Sequence, residues 1–262
     1  MTKTSTKAQQ FSSEIAFYDD SKHDYEQFWV GRDYEHLSEV MAINRLLRGR
    51  HYRIAMDFGG GYGRLTPTIR DFADKIILTD PSTKQLEIAK KRLKNYHNVE
   101  FIITPKKDYV PAKDGSIDLL VMVRVSHHLI KPEKIFAEIH RVLSDEGEAV
   151  IEIANEAHFL NRLKYLSRFS KVPLESVRIG HNANGVKDAI PFLNHNPKTI
   201  ENLFLANHLA PVDKLSVSNL RQKILKQHMN LGHMLAIEKV SQAKLAKLNF
   251  GPSIFYLVKK AG

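Results

Sequence analysis

From residue 51 to about residue 155, short apolar runs alternate with longer segments whose apolar positions recur every three or four residues. The runs are the stretch opening at Arg53, then Lys75–Thr79, Val99–Ile103, Ile117–Val123 and Glu148–Ile153. Such runs, bounded by polar or glycine-rich turns, predict buried strands. The segments between them predict helices: Leu65–Phe72, Thr83–Leu93, and Pro132 to about Leu143. Ser82 with Gln85 makes a capping-box pattern for the second helix, and Pro132 suits the first turn of the third. Strand and helix in strict alternation predict an α/β fold, doubly wound around a mainly parallel sheet.

The flanks read differently. Residues 1–15 are polar and predict a disordered tail. From Phe17 the chain turns aromatic (Tyr18, Tyr25, Phe28, Trp29, Tyr34) and leads into a helical pattern of Leu37, Val40, Met41, Ile43, Leu46 and Leu47, with Asp33 as its expected N-cap. Residues 16–50 therefore predict a helical segment, either packed on the sheet or forming a lid, before a core of residues 51–155. After Asn155 come a basic helix (Arg162, Lys164, Arg168, Lys171), the loop Gly180–Gly185, a helix Pro197–Leu205 and a strand at Lys214–Val217. Residues 221–248 carry six Lys/Arg against one Glu, around an apolar set that includes Ile224, Met234, Ile237 and Val240. The last strand is Ser253–Val258. Segments 156–212 and 221–248 are expected as helical insertions in one domain.

The chemistry concentrates where the first strand breaks into Gly59, Gly60, Gly61 and Gly63. Strand, glycine turn and helix in that order open a nucleotide-binding βα unit, because the turn must bend sharply and leave room for a ligand against the helix amides. The dinucleotide spacing is not met, since the sixth position from Gly59 is Arg64. No Gly-Lys-Ser/Thr follows for a P-loop. Asp80, at the end of the second strand, stands 21 positions after Gly59. That is the spacing of a strand-end carboxylate that accepts hydrogen bonds from ribose hydroxyls.

Asp57-x-Gly59-x-Gly61-x-Gly63, together with Asp80, Ser116-Ile117-Asp118 and the double histidine His127-His128, resembles the class I S-adenosylmethionine (SAM) dependent methyltransferases. The resemblance is strongest between Asp57 and Asn155, and its pattern is similar to small-molecule enzymes such as the quinone-biosynthesis C-methyltransferases. It implies a seven-stranded Rossmann-like sheet with an antiparallel last strand. It also implies SAM as cofactor, held by Asp57, Gly59, Gly60, Gly61, Gly63 and Asp80. Lys106 stands where the family usually carries an acid against the adenine amine, which leaves that contact to backbone groups or Asp108.

Arg32 and Arg124 are candidates for pairing with the cofactor carboxylate, or with an acidic acceptor, through charge-assisted hydrogen bonds. His127 and His128 are candidates for a catalytic base if the acceptor arrives protonated, and otherwise order their loop. His181 and His195 fall in the region expected to line the acceptor pocket.

Composition narrows these readings. Hydrophobic residues make up 43% of 262 positions, enough for a full core. The absence of cysteine excludes disulfides and a cysteine nucleophile, including the one that cytosine C5 methylation needs, and it fits a reducing cytoplasm. No apolar run is long enough for a membrane helix, and residues 1–10 lack the apolar region of a secretory signal. No His/Asp/Glu set has a metal-ligand spacing. The formal charge of +10 is compatible with nucleic acid, an anionic membrane surface, an anionic substrate or simple solubility. The base-amine methylating motif Asn/Asp-Pro-Pro-Tyr/Phe is missing after the fourth strand, where Arg124-Val125-Ser126-His127 stands. The expectation is a methyltransferase of small molecules, with an RNA methyltransferase and a non-catalytic SAM-binding module as alternatives.

Overall fold

The computed structural model describes Asp19 and residues 25–105, 108–179 and 192–261. In chain order its elements open with helices α1 (Tyr25–Phe28) and α2 (Asp33–Leu46). Then follow β1 (Tyr52–Phe58), α3 (Thr66–Arg70), β2 (Ala73–Asp80), α4 (Thr83–Arg92), β3 (Val99–Ile103) and β4 (Ile117–Met122). The second half contains α5 (Pro132–Val142), β5 (Leu143–Ala154), α6 (Phe159–Ser167), β6 (Val177–Ile179) and β7 (Phe192–Asn194). It closes with α7 (Pro197–Ala206), β8 (Leu209–Val217), α8 (Lys223–His228), α9 (Leu231–Ala246) and β9 (Ser253–Lys260). The tail 1–15, Phe17, Tyr18, Lys106 and the loop 180–185 with His181 lie outside the described residues.

Seven strands form one sheet in the order β3-β2-β1-β4-β5-β9-β8, with β6 and β7 as a separate two-stranded ladder. Strands β1 to β5 pair in parallel, and β9 runs antiparallel to both β5 and β8. Strand β8 therefore points the same way as β1–β5, and its C-terminal end reaches the same edge of the sheet. The order reverses between β1 and β4. At such a switch point the loops from neighbouring strand ends diverge and leave a crevice.

Burial follows the period of two. Leu120 and Met122 of β4 face a core built with Ile135, Phe136 and Ile139 of α5 and Phe204 of α7. Leu119 and Val121 face the opposite core, with Ile43 and Leu46 of α2. Because both faces are covered, the central strands read as continuous apolar runs. Phe136 packs on Phe204 with ring centroids 4.6 Å apart, and Tyr256 meets Phe204 edge-on. Each such fully buried side chain is worth roughly 1.5–3 kcal/mol of burial.

The doubly wound, mostly parallel seven-stranded sheet agrees with expectation; several boundaries do not. Helix α3 is only five residues long, since β2 already begins at Ala73. Asp145-Glu146-Gly147, ahead of the run Glu148–Ile153 from which the fifth strand was expected, lies within β5. There the register with β4 slips between Ile117 and Leu119, so the extra residues bulge. Asp33 is the first residue of α2 rather than its cap; Arg32 occupies that place without a side-chain cap. Ser82 does cap α4, accepting a hydrogen bond from the Gln85 amide at 3.1 Å.

The largest difference lies in 221–248. The expected apolar set is mostly on the outside: Ile224 is 66% and Val240 62% exposed, and Ile237 is also exposed. The inward stripe of α9 is Met234, Glu238, Gln242 and Ala246, two of them polar. Glu238 is fully buried because it accepts several hydrogen bonds. Its donors are the Ser218 amide (2.8 Å), the Asn219 amide (3.1 Å) and the Tyr34 hydroxyl (2.6 Å). Gln242 donates to the Ser38 carbonyl at 3.0 Å. This helix is thus seated on α2 and on the loop after β8 by polar contacts, which a hydrophobic pattern does not reveal.

Glu238→Ala should lower the free energy of unfolding by about 3 kcal/mol, because three buried donors lose their acceptor together. Urea denaturation tests this. A loss indistinguishable from zero would mean that water takes over the contacts.

Candidate functional site

Four strand ends at one edge of the sheet build the site. The turn after β1 is shaped by its glycines. Gly59 has φ +69°, and a Cβ there would lie 2.4 Å from Val125 Cγ2, so the glycine allows the β1 and β4 loops to touch across the switch point. Gly61 has φ +55°, which turns its amide toward Asp80, the last residue of β2. Gly60 lies over the Asp57 carboxyl, and Gly63 packs against Leu93 and Leu78.

The two carboxylates predicted from sequence are both buried here. Asp57 accepts from the Thr66 hydroxyl at 2.7 Å, which ties the end of β1 to the start of α3. Burial pushes its carboxyl up to about 6, against the hydrogen bond and the pull of Arg64. Asp80 accepts from the Gly61 amide at 2.9 Å through one oxygen and from the Ser82 amide at 2.8 Å through the other. Burial pushes it up to about 7, opposed by those two amides. Each Asp80 oxygen keeps a free lone pair, so the carboxylate can still accept from a pair of hydroxyls. Asp19, from the N-terminal segment, accepts from the Ser82 hydroxyl at 2.6 Å and closes over the same helix start.

At the end of β4 stands Arg124, in the left-handed region at φ 64°, with its amide donating to Glu152 of β5 at 3.1 Å. A non-glycine residue held there is strained and stays only where its surroundings fix it. The fixing partner is Glu39 of α2, fully buried and bound by Arg124 Nε at 2.7 Å and by Arg64 Nη2 at 2.5 Å. Burial raises the Glu39 carboxyl, but Arg124 and Arg64 outweigh it and the net shift is downward. The ring of Trp29 lies under Arg64 at 3.5 Å and near Arg124 at 5.6 Å. Arg32 lies on the Phe28 ring at 3.7 Å.

The double histidine forms a short 3-10 turn, Ser126–His128. The His127 ring stacks on Phe192 of β7 with centroids 5.2 Å apart, and His128 meets the same ring edge-on at 5.0 Å. His195 is buried behind them. It bonds the Ser126 carbonyl at 2.8 Å through Nε2 and the Ser176 hydroxyl at 2.8 Å through Nδ1. His195, in the region expected to line the acceptor pocket, supports the turn from beneath, and burial lowers its pKa.

Gly59, Gly61, Asp57, Asp80, Arg124 and the two histidines thus come to one edge, with Arg32 at the start of α2. Glu39, Glu152 and the pairing role of Arg64 were not foreseen. One signal for Glu39 did exist: it lies among Tyr34, Ser38, Ala42 and Ile43 on the buried side of α2, where an unpaired acid is not tolerated.

A glycine turn and a strand-end carboxylate at the switch point of a doubly wound sheet define a protein built to hold a nucleoside cofactor. Residues 56–151 match the family model of a methyltransferase domain, and the chain's similarities to SAM-dependent methyltransferases agree with that match. It is 28% identical over 146 residues to an uncharacterised methyltransferase of Oceanobacillus iheyensis, a match that spans 52% of this chain and 64% of that protein. Among solved structures it is similar to a SAM-dependent methyltransferase of Thermotoga maritima, described as a possible histamine N-methyltransferase. That similarity has a TM-score of 0.61 and 18% identity, over 96% of this chain and 99% of that one. It is also similar to a chain of a complex between the Haloferax volcanii Trm112 methyltransferase activator and a protein described as a putative methyltransferase, with a TM-score of 0.62 and 12% identity over 95% and 97% of the two chains. At such identities the structures share the fold. SAM is the cofactor of the family, and the free lone pairs of Asp80 beside a side-chain-free turn fit its ribose.

Two outcomes test the site. Gly61→Val should weaken S-adenosylhomocysteine binding at least about tenfold, because a β-branched residue disfavours φ +55° and fills the turn, while the far-ultraviolet spectrum stays unchanged. Second, hydroxyl donors favour the charged form of Asp80, whose carboxyl sits at about 7 in the free protein. Affinity should therefore fall by up to about tenfold per pH unit as pH drops below 7, with proton release on binding near pH 6. Calorimetry in buffers of different ionisation enthalpy measures both. A flat profile from pH 5 to 8 would take Asp80 out of the contact.

Proposed function

We propose that this chain transfers the methyl group of SAM to a small-molecule acceptor. The observation that carries the reading is the pair of Gly61 and Asp80, a bare turn and a ribose-type carboxylate hydrogen-bonded to each other at the switch point. When bound, SAM supplies a methyl carbon already activated on a sulfonium, so the protein's task is chiefly alignment and exclusion of water. In this reading Asp57 and the glycines hold the turn in shape, Asp80 takes the ribose hydroxyls, and Arg124 with Arg32 faces the cofactor carboxylate. His127, His128 and Phe192 form an aromatic wall on the acceptor side. A base is required only for an acceptor that arrives protonated, and either histidine can then take the proton.

The chain matches only part of its curated relative, so the acceptor is inferred from the site alone. Two stacks stand at this edge, Trp29 with Arg64 and His127 with Phe192, and such flat faces favour a compact molecule. No helix among the described residues is long and apolar enough to cross a membrane.

The test is calorimetric titration with S-adenosylhomocysteine, using NAD as control, followed by transfer of labelled methyl groups into fractionated metabolites. Binding of the first alone is expected, lost by at least about tenfold in Asp80→Ala with the fold retained. Binding of both, or of neither, would overturn the reading.

A further inference from the structure

A third arginine comes to the same edge from the far end of the chain. Arg221 lies four residues past the end of β8, whose C-terminus reaches the edge of the sheet that carries the glycine turn and Arg124. The loop that carries it is locked. Ser218 is in the left-handed region at φ 60°, and its amide and that of Asn219 donate to the buried Glu238. The Leu220 amide donates to the Tyr34 hydroxyl at 2.9 Å. Just beyond, Lys226 binds both oxygens of Glu35 at 2.6 and 2.7 Å. Residues on both sides of Arg221 are thus tied to the first turn of α2, immediately after Arg32.

The charges around it do not balance. Arg221 lies in the field of Arg124 and Arg32 on one side and of Glu35 and Glu152 on the other. Glu35 is already committed to Lys226, and Glu39 is shared by Arg64 and Arg124. One oxygen of Glu152 takes the Arg124 amide, and burial pushes that carboxyl toward its neutral form. Among the described residues neither Arg221 nor Arg32 has a carboxylate in ion-pair reach. Arg221 is nonetheless exposed to solvent, so a ligand can reach it.

We propose that Arg221 is a specificity residue that receives an oxyanion, a carboxylate or phosphate group, on the methyl acceptor. The proposal rests on the methyltransferase reading and narrows its acceptor to an anionic small molecule. The cofactor does not satisfy this cluster. SAM brings one carboxylate but also an ammonium and a sulfonium, so its arrival leaves the edge more positive than before. An anionic acceptor removes the excess, and a guanidinium fork fits a planar carboxylate or a phosphate through two parallel hydrogen bonds. Because strain and hydrogen bonds fix the loop in advance, little ordering is left for the binding step.

The chain's single tryptophan, Trp29, lies beside Arg124 and reports on the cluster by fluorescence. Protein saturated with S-adenosylhomocysteine is titrated with malonate and with inorganic phosphate, using chloride at equal ionic strength as control. The expected result is a saturable change with malonate or phosphate and none with chloride. Arg221→Gln should weaken it at least about tenfold, while affinity for S-adenosylhomocysteine stays at the wild-type value. Arg221→Lys, which keeps the charge and loses the fork, should fall between the two, and it carries the test if the glutamine variant does not fold. The assignment is overturned if wild type responds to neither anion, if the variants respond like wild type, or if Arg221→Gln weakens S-adenosylhomocysteine by the same factor. The last outcome would give Arg221 to the cofactor. Failure of wild type to bind S-adenosylhomocysteine at all would instead remove the methyltransferase reading, and this inference with it.

Discussion

The arrangement of this site depends on one buried carboxylate, Glu39, gripped by two arginines from two different strand ends. Arg64 comes from the turn after β1 and Arg124 from the end of β4, and both reach into α2. An isolated carboxylate at that depth would cost several kcal/mol, and it stays ionised only because both guanidinium groups are there. The consequence is mechanical as much as electrostatic. The helix before the glycine turn, the turn itself and the β4 loop are pinned to a common point, with Trp29 stacked over it. Removing Glu39 would release two arginines at once and let three elements move independently.

The same device recurs on α9. Glu238 is buried, accepts from the loop after β8, and is joined to α2 through the Tyr34 hydroxyl. The parallel extends to the backbone, since each acid serves a loop with a residue in the left-handed region, Arg124 in one case and Ser218 in the other. Two helices covering one face of the sheet thus use a buried acid each to hold a strained strand-end loop. Hydrophobic side chains of similar size would often be no less stable at such positions, but they would not fix where the loop emerges. The acids set position, and position is what a site for methyl transfer needs.

This division also explains what could be read from the chain. Alternation of apolar runs with helical spacing located all seven strands of the main sheet, because burial on both faces leaves a strong pattern. The glycine turn and Asp80 were legible because their residue types are dictated by local geometry. Glu39 and Glu238 were not. On a helix an acid among apolar positions looks like a surface residue, and its partners are remote in sequence, 25 and 85 positions away for Glu39. The outward-facing Ile237 and Val240 misled for the same reason: periodicity shows that a face exists, not which side is buried. The support that His195 gives the double-histidine turn was not legible either, because nothing local shows that it bonds Ser126, 69 positions away.

The buried acids also govern the charge that remains. Glu39 carries one negative charge against two positive ones, and Glu35 cancels only Lys226. Arg32 lies on the Phe28 ring and the loop that carries Arg221 is locked through its backbone, so both arginines are held at this edge. The effect is visible in the downward push on Arg32 and Arg221, each led by burial, with Arg124 adding to both. A cationic edge of this kind attracts an incoming anion and opposes a cation of the same size. In the proposed reading the glycine turn selects for a nucleoside by shape and the surplus arginine charge acts on the acceptor, so the two halves of the crevice discriminate by different physical means.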